Sequence, residues 1–93
     1  MRDRRSTHRK KLVAPVDYAC FPNGGGNVFD FMERGITFDF SDSGLSFFIN
    51  RHLDEGRDLA LRCDNIWKAD RVGTVRWCRP LSFNLFKVGV SLY

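Results

Sequence analysis

Only three cysteines occur in this chain, Cys20, Cys63 and Cys78, and no two are spaced as metal ligands. An odd count without a CxxC pair argues against a zinc site and against a disulfide framework. Each lies in an apolar, strand-like run and reads as a small buried residue, which fits a reducing, cytoplasmic setting. The two histidines, His8 and His52, stand apart from any ligand-spaced Cys or carboxylate set. Neither a metal centre nor a His-assisted nucleophile is therefore expected, and no cofactor is implied. No apolar run approaches the length of a membrane span, and no hydrophobic stretch follows the N-terminal charges. Membrane insertion is not expected. The run Gly24-Gly25-Gly26 fits neither the phosphate-loop nor the dinucleotide pattern. No set of residues supports a catalytic reading.

What the chain does have is aromatic bulk and one concentrated block of charge. Its 93 residues make one small domain, and nine of them are Phe. A chain of this size buries only roughly 60–65 % of its unfolded surface, so large rings carry much of the core. Six of the fifteen basic residues and one of the eleven acids lie in residues 1–11. The remaining nine bases and ten acids nearly balance. The whole positive excess therefore sits in an N-terminal arm, residues 1–11, ahead of a body spanning 12–93. Such an arm suits an anionic partner, and it equally suits a solvated tail.

The body reads as strands throughout. Leu12 to Cys20 is apolar, with Pro15 breaking it or bordering an edge. Phe21 to Asn27 is a turn or loop rich in glycine. Val28 to Asp39 is aromatic and β-branched, with Arg34-Gly35 as a bulge or tight turn. Ile36, Phe38 and Phe40 alternate with Thr37 and Asp39, the period of a half-buried strand. Turns follow at Asp42-Ser43-Gly44 and Asp54-Glu55-Gly56. Strands follow at 45–49, 59–63, 72–78 and 85–92, the last two separated by Arg79-Pro80-Leu81-Ser82. About six short strands in so small a domain predict a six-stranded antiparallel β-barrel, because closure removes exposed edges.

Two short polar signatures carry the chemistry. The first is Arg4-Arg5-Ser6-Thr7-His8-Arg9. An arginine fork matches two phosphate oxygens or the O6/N7 edge of guanine, and its flat face stacks on a base. Arg5 and Arg9 are an even number apart, so an extended segment turns them to one side. The second is Asp39-Phe40-Ser41-Asp42-Ser43-Gly44. The Asp39 carboxylate can accept from the N1–H and N2–H₂ donors of guanine, which adenine does not offer. Ser41, two residues on, is expected to face the same way. Ser43 and Gly44 fit a turn in which glycine permits a positive φ and close approach to a ligand. The same residues also fit a hydroxyl-closed turn with no ligand.

Arg5-x-x-x-Arg9 preceded by Arg4, and Asp39-x-Ser41-x-x-Gly44, together resemble the double signature of PilZ domains, receptors for the bacterial second messenger cyclic di-GMP. Gly73-Thr74-Val75-Arg76-Trp77 and Lys87-Val88-Gly89-Val90-Ser91-Leu92 are similar to that family's closing strands, so the resemblance covers roughly residues 2–92. It implies a six-stranded barrel with the arginine arm wrapping over its face. It implies that Arg5 and Arg9 hold guanine edges and phosphates, that Asp39 and Ser41 read guanine, and that Gly44 shapes the turn. Arg4 occupies the position that favours a stacked pair of ligand molecules. Trp77 matches an aromatic that borders the ligand, and it also suits a core or rim tryptophan. The chain ends at Tyr93, so the C-terminal helix common in the family is expected to be absent or truncated. The expected function is a sensor without enzymatic activity that relays cyclic di-GMP to a downstream protein as the arm orders. The alternatives are a small barrel binding RNA or single-stranded DNA, for which Asp39 has no special role, and an adaptor with an idle nucleotide site. Nucleic acid is the less favoured partner.

Overall fold

Alternating apolar side chains draw seven strands into one antiparallel sheet in the computed structural model, which describes residues 9–22, 31 and 33–93. The strands are β1 (Lys10–Lys11), β2 (Pro15–Cys20), β3 (Glu33–Phe40), β4 (Gly44–Ile49), β5 (Asp58–Arg62), β6 (Arg71–Ser82) and β7 (Leu85–Leu92). Their order across the sheet is β1-β3-β2-β5-β6-β7-β4, and β3 also pairs with β4. That last pairing closes β2 to β7 into the expected six-stranded barrel, with β1 as one extra strand on β3. The described residues contain no helix. Arg4 and Arg5, the glycine run at 24–26 and the start of the predicted Val28 strand lie outside the described residues.

The interior is filled from alternate positions of successive strands, as closure of a pleated sheet requires. Val16 and Tyr18 point inward from β2, Leu45 and Phe47 from β4, and Leu59 and Leu61 from β5. Val75 from β6, Val88 and Val90 from β7, and Cys63 just beyond β5 complete the cluster. The Tyr18 and Phe47 rings pack at 5.7 Å between centroids. Trp67 packs against this core from the loop before β6.

Three expectations change. Arg34-Gly35 is neither a bulge nor a turn: both residues lie in regular β3, in register with Asp17 and Val16. A methyl at Gly35 would stand 2.6 Å from the Phe48 carbonyl oxygen, so the glycine serves close strand approach. Arg79 to Ser82 does not separate the last two strands, because β6 runs through Pro80 and the turn falls at Phe83-Asn84. Proline is tolerated there because β6 pairs with β5 only over Arg71 to Thr74, leaving the outer edge open beyond it.

The third change concerns β3. The alternation placed Ile36, Phe38 and Phe40 on one face. Instead Ile36 is exposed, Thr37 is fully buried, and Phe40 packs against the core. The register against β4 shifts between Thr37 and Asp39, so Phe38 is an extra residue in the ladder. This bulge reverses the phase of the strand: Thr37 faces in, and two residues later Asp39 faces out.

Thr37 uses its inward position to secure the crossing from β1 to β2. Its hydroxyl donates to the Leu12 carbonyl at 2.5 Å and accepts from the Ala14 N–H at 2.9 Å. Its own N–H donates to the Ala14 carbonyl at 2.8 Å. Buried backbone groups in a segment that leaves the ladder need such partners. Thr37→Val should keep the shape but leave the Ala14 N–H and the Leu12 carbonyl unpaired, costing roughly 1–3 kcal/mol. Urea unfolding checks this: the midpoint should fall for Thr37→Val and less for Thr37→Ser. Equal midpoints for wild type and Thr37→Val would remove the hydroxyl from the account.

Candidate ligand-binding site

A surface cleft of about 400 Å³ runs over β3, β4, β7 and β6 on the outside of the barrel. Residues from all four strands, together with Arg9 just before β1, line it. Asp39 reaches this cleft because the Phe38 bulge turned it outward. Its Oδ1 accepts from Arg9 Nη2 at 2.7 Å and from the Ser46 hydroxyl at 2.5 Å. Both bonds fall on one oxygen, and among the described residues no donor is bonded to the other. A carboxylate oxygen with free lone pairs, beside cations, can accept further donors from a ligand.

The electrostatics follow from this packing. The hydrogen bond from Arg9 holds the Asp39 carboxyl below its ordinary pKa, outweighing the opposing effect of partial burial. The Ser46 hydroxyl and the charges of Arg9 and Lys87 act in the same direction. In return the Asp39 hydrogen bond raises the Arg9 pKa. The Asp39 side chain is 15 % exposed and that of Arg9 35 %, so the pair is half-sheltered rather than a fully solvated surface pair.

The opposite wall is built by a second bulge. Between Val75 and Trp77 the β6–β7 register also shifts, making Arg76 the extra residue. Arg76 lines the cleft, and Trp77 comes to lie directly over Gly89 of β7. A methyl built at Gly89 would fall among the indole atoms, so the glycine is what lets the ring lie flat. Arg79 stacks on the same indole at 5.0 Å from the ring centroid. On the floor, Lys87 rests its ammonium 3.7 Å from the Phe38 centroid, and Lys11 approaches the same ring at 3.9 Å. Phe38, on the outer side of β3, thereby holds two cations beside the carboxylate. The site combines one carboxylate, several cations and an indole face. It suits a ligand with phosphates, a planar base and N–H donors.

The sequence-derived candidates fall into three groups. Arg9, Asp39, Ser43, Gly44 and Trp77 come together in the cleft. Ser41 does not line it: β3 ends at Phe40, and Ser41 turns inward, 6 % exposed. Its hydroxyl accepts the Ser43 N–H at 3.4 Å and its N–H donates to the Gly44 carbonyl at 2.9 Å. Ser41 thus closes the turn that carries Ser43. Arg4 and Arg5 lie outside the described residues. Gly44 departs from expectation, because the one left-handed glycine among the described residues is Gly56, at φ +89° in the turn before β5. Gly44 is buried and extended, and a methyl there would meet the Val90 carbonyl at 3.1 Å and Arg9 Nη1 at 3.5 Å. Sequence reasoning missed Ser46, Arg76, Lys87 and Gly89 as cleft residues. Ser46 carried one available signal, lying two residues beyond Gly44 on an outward-facing position.

A family model described as PilZ domain matches residues 3–92. A solved structure from Bacillus subtilis, titled as the inhibitor of motility MotI/DgrA, superposes with a TM-score of 0.69 at 14 % identity. The match covers 98 % of this chain and 43 % of that one, so the chain spans less than half of its structural neighbour. No curated protein matches the sequence.

A carboxylate whose pKa is lowered by folding stabilises the fold above its unfolded pKa and loses that contribution as pH falls through its folded value. Asp39, Asp58 and Asp70 all have lowered values, so stability should decline on acidification below the ordinary carboxylate range. Asp39→Asn should make that decline shallower, as read from urea midpoints across the acid range. An unchanged pH profile would mean that the Arg9 pair does not form in solution. Separately, Gly89→Ala should displace the Trp77 ring, seen as a shift in tryptophan emission relative to wild type.

Proposed function

The chain belongs to the PilZ domain family, and on that premise we propose that it is a receptor for cyclic di-GMP rather than an enzyme. One observation carries the reading. A bulge turns the Asp39 carboxylate out of the barrel into a cleft it shares with Arg9, Arg76, Lys87 and Trp77. Guanine offers two adjacent N–H donors on the edge where adenine has an acceptor, and a carboxylate is the natural acceptor for both. In this reading Oδ2 of Asp39 takes a guanine N–H, while Ser46 keeps the carboxylate oriented. Arg9, already at Asp39, extends its remaining donors to the guanine O6/N7 edge or to a phosphate. Arg5 joins it from the arm. Lys87 and Arg76 offset phosphate charge, and the Trp77 face borders a base. Ser43 and the side-chain-free Gly44 let the ligand approach the turn.

Residues 1–11 carry three further arginine forks, Arg2, Arg4 and Arg5, and the proposal has them close over the ligand. The ligand's differential affinity for the closed form would then supply the free energy of the switch. A downstream protein would meet a different surface in the two forms. Arg4, just before the motif, would stack on an outer base and favour a bound pair of cyclic di-GMP molecules.

Isothermal titration with cyclic di-GMP tests the reading. Binding at micromolar or tighter dissociation constants is expected, with two ligand molecules per chain and one for Arg4→Ala. Arg9→Ala removes charge-assisted bonds and should weaken binding on the order of 10–100-fold. Asp39→Ala should narrow the preference for cyclic di-GMP over cyclic di-AMP. A flat titration of the folded wild-type chain would overturn the receptor reading, and equal binding of both cyclic dinucleotides would overturn the role of Asp39.

A further inference from the structure

From Arg71 to Tyr93 the sequence holds four basic residues, Arg71, Arg76, Arg79 and Lys87, and not one acid. This segment is the β6–β7 hairpin. From Arg76 outward β6 pairs with β7 alone, and β4 pairs with β7 no farther than Phe86. The end of the hairpin is therefore a two-stranded ribbon reaching past the barrel. Such a ribbon would ordinarily carry polar residues. Instead its tip bears Leu81, Phe83 and Leu85, which are 47, 97 and 39 % exposed. Phe83 sits in the turn itself, with essentially its whole ring in solvent. None of the three belongs to the core cluster or lines the ligand cleft. Three adjacent exposed apolar side chains have a use outside the chain.

We propose that this tip docks on an anionic lipid surface, with Leu81, Phe83 and Leu85 entering the boundary between headgroups and acyl chains. Three observations select lipid over protein as the occupant. The tip is convex and presents only three apolar side chains, far less than the surface of roughly 1,000 Å² or more that a specific protein interface buries. A fluid bilayer accepts a convex wedge without a matching pocket. The charges are also placed for it. Arg79 and Lys87 are register partners across the hairpin. Arg79 lies four residues behind Phe83, about 13 Å along a strand. Side chains that insert about 5–10 Å would set those cations at the level of the lipid phosphates. With no acid on the hairpin, nothing there opposes a negative surface. The three apolar side chains of the tip lie outside the cleft, so their insertion does not depend on nucleotide binding, although Lys87 borders both surfaces.

Co-sedimentation of the full chain with vesicles tests it, using phosphatidylcholine alone and a phosphatidylcholine–phosphatidylglycerol mixture. The wild type should bind the anionic vesicles, bind the neutral ones weakly, and release as salt is raised. Phe83→Ser should lower partitioning about tenfold, as expected when a large apolar side chain no longer enters the boundary. The triple change Leu81→Ser, Phe83→Ser and Leu85→Ser should lower it further. These residues lie outside the core, so circular dichroism should show the barrel intact in each variant. The proposal fails if the wild type ignores anionic vesicles, or if the variants sediment as the wild type does. It also fails if the tip instead mediates self-association, with a dimer in vesicle-free solution that Phe83→Ser dissolves.

Discussion

A single extra residue in β3 governs where the chemistry of this protein appears. A strand has a period of two, so Thr37 and Asp39 would share a face in a regular ladder. Thr37 is needed inside, where its hydroxyl bridges the crossing from β1 to β2. Without the bulge at Phe38, Asp39 would follow it inward and bury a carboxylate in an apolar barrel, at a cost of several kcal/mol. The bulge resolves the conflict. Thr37 stays in, Asp39 turns out, and Phe40 returns to the core. The second bulge, at Arg76, does the corresponding work on the far wall by setting Trp77 over Gly89.

Charge is distributed with the same economy of position. Outward rotation alone would leave Asp39 as one more surface acid. Arg9 and Ser46 share its Oδ1, and Lys87 stands near enough to lower its pKa further. Phe38 holds the ammonium groups of Lys11 and Lys87 against its ring. The result is a carboxylate kept ionised and oriented among cations, which a ligand bearing both N–H donors and phosphates can satisfy at once. The β6–β7 hairpin lines this cleft up to Lys87 and carries the exposed apolar tip beyond it, so one acid-free element bears both surfaces.

The barrel was legible in the sequence because its interior is written as period-two alternation, as in Leu59 and Leu61 or Val88 and Val90. The turn at Gly56 was legible because glycine marks a left-handed φ there. The phase of β3 was not, since a bulge leaves no signature in composition and Ile36-Thr37-Phe38-Asp39-Phe40 looks like an ordinary alternating strand. Arg9, Asp39 and Trp77 were legible as chemistry. Ser46, Arg76, Lys87 and Gly89 were not, because cross-strand register brings them together rather than spacing along the chain. Ser41 and Gly44 were named for the right turn with different local roles: one buries its hydroxyl to close it, and the other is extended beside Arg9.

The central claim is that the outward-turned Asp39 carboxylate is the guanine-reading group. The most direct measurement is a crystal structure of the chain with cyclic di-GMP. The account predicts an Asp39 oxygen within hydrogen-bonding distance of the N1 and N2 edge of a guanine, with Ser46 still on the carboxylate and Arg9 on the same ligand. A ligand bound away from the cleft, with Asp39 paired only to Arg9 and Ser46, would contradict it.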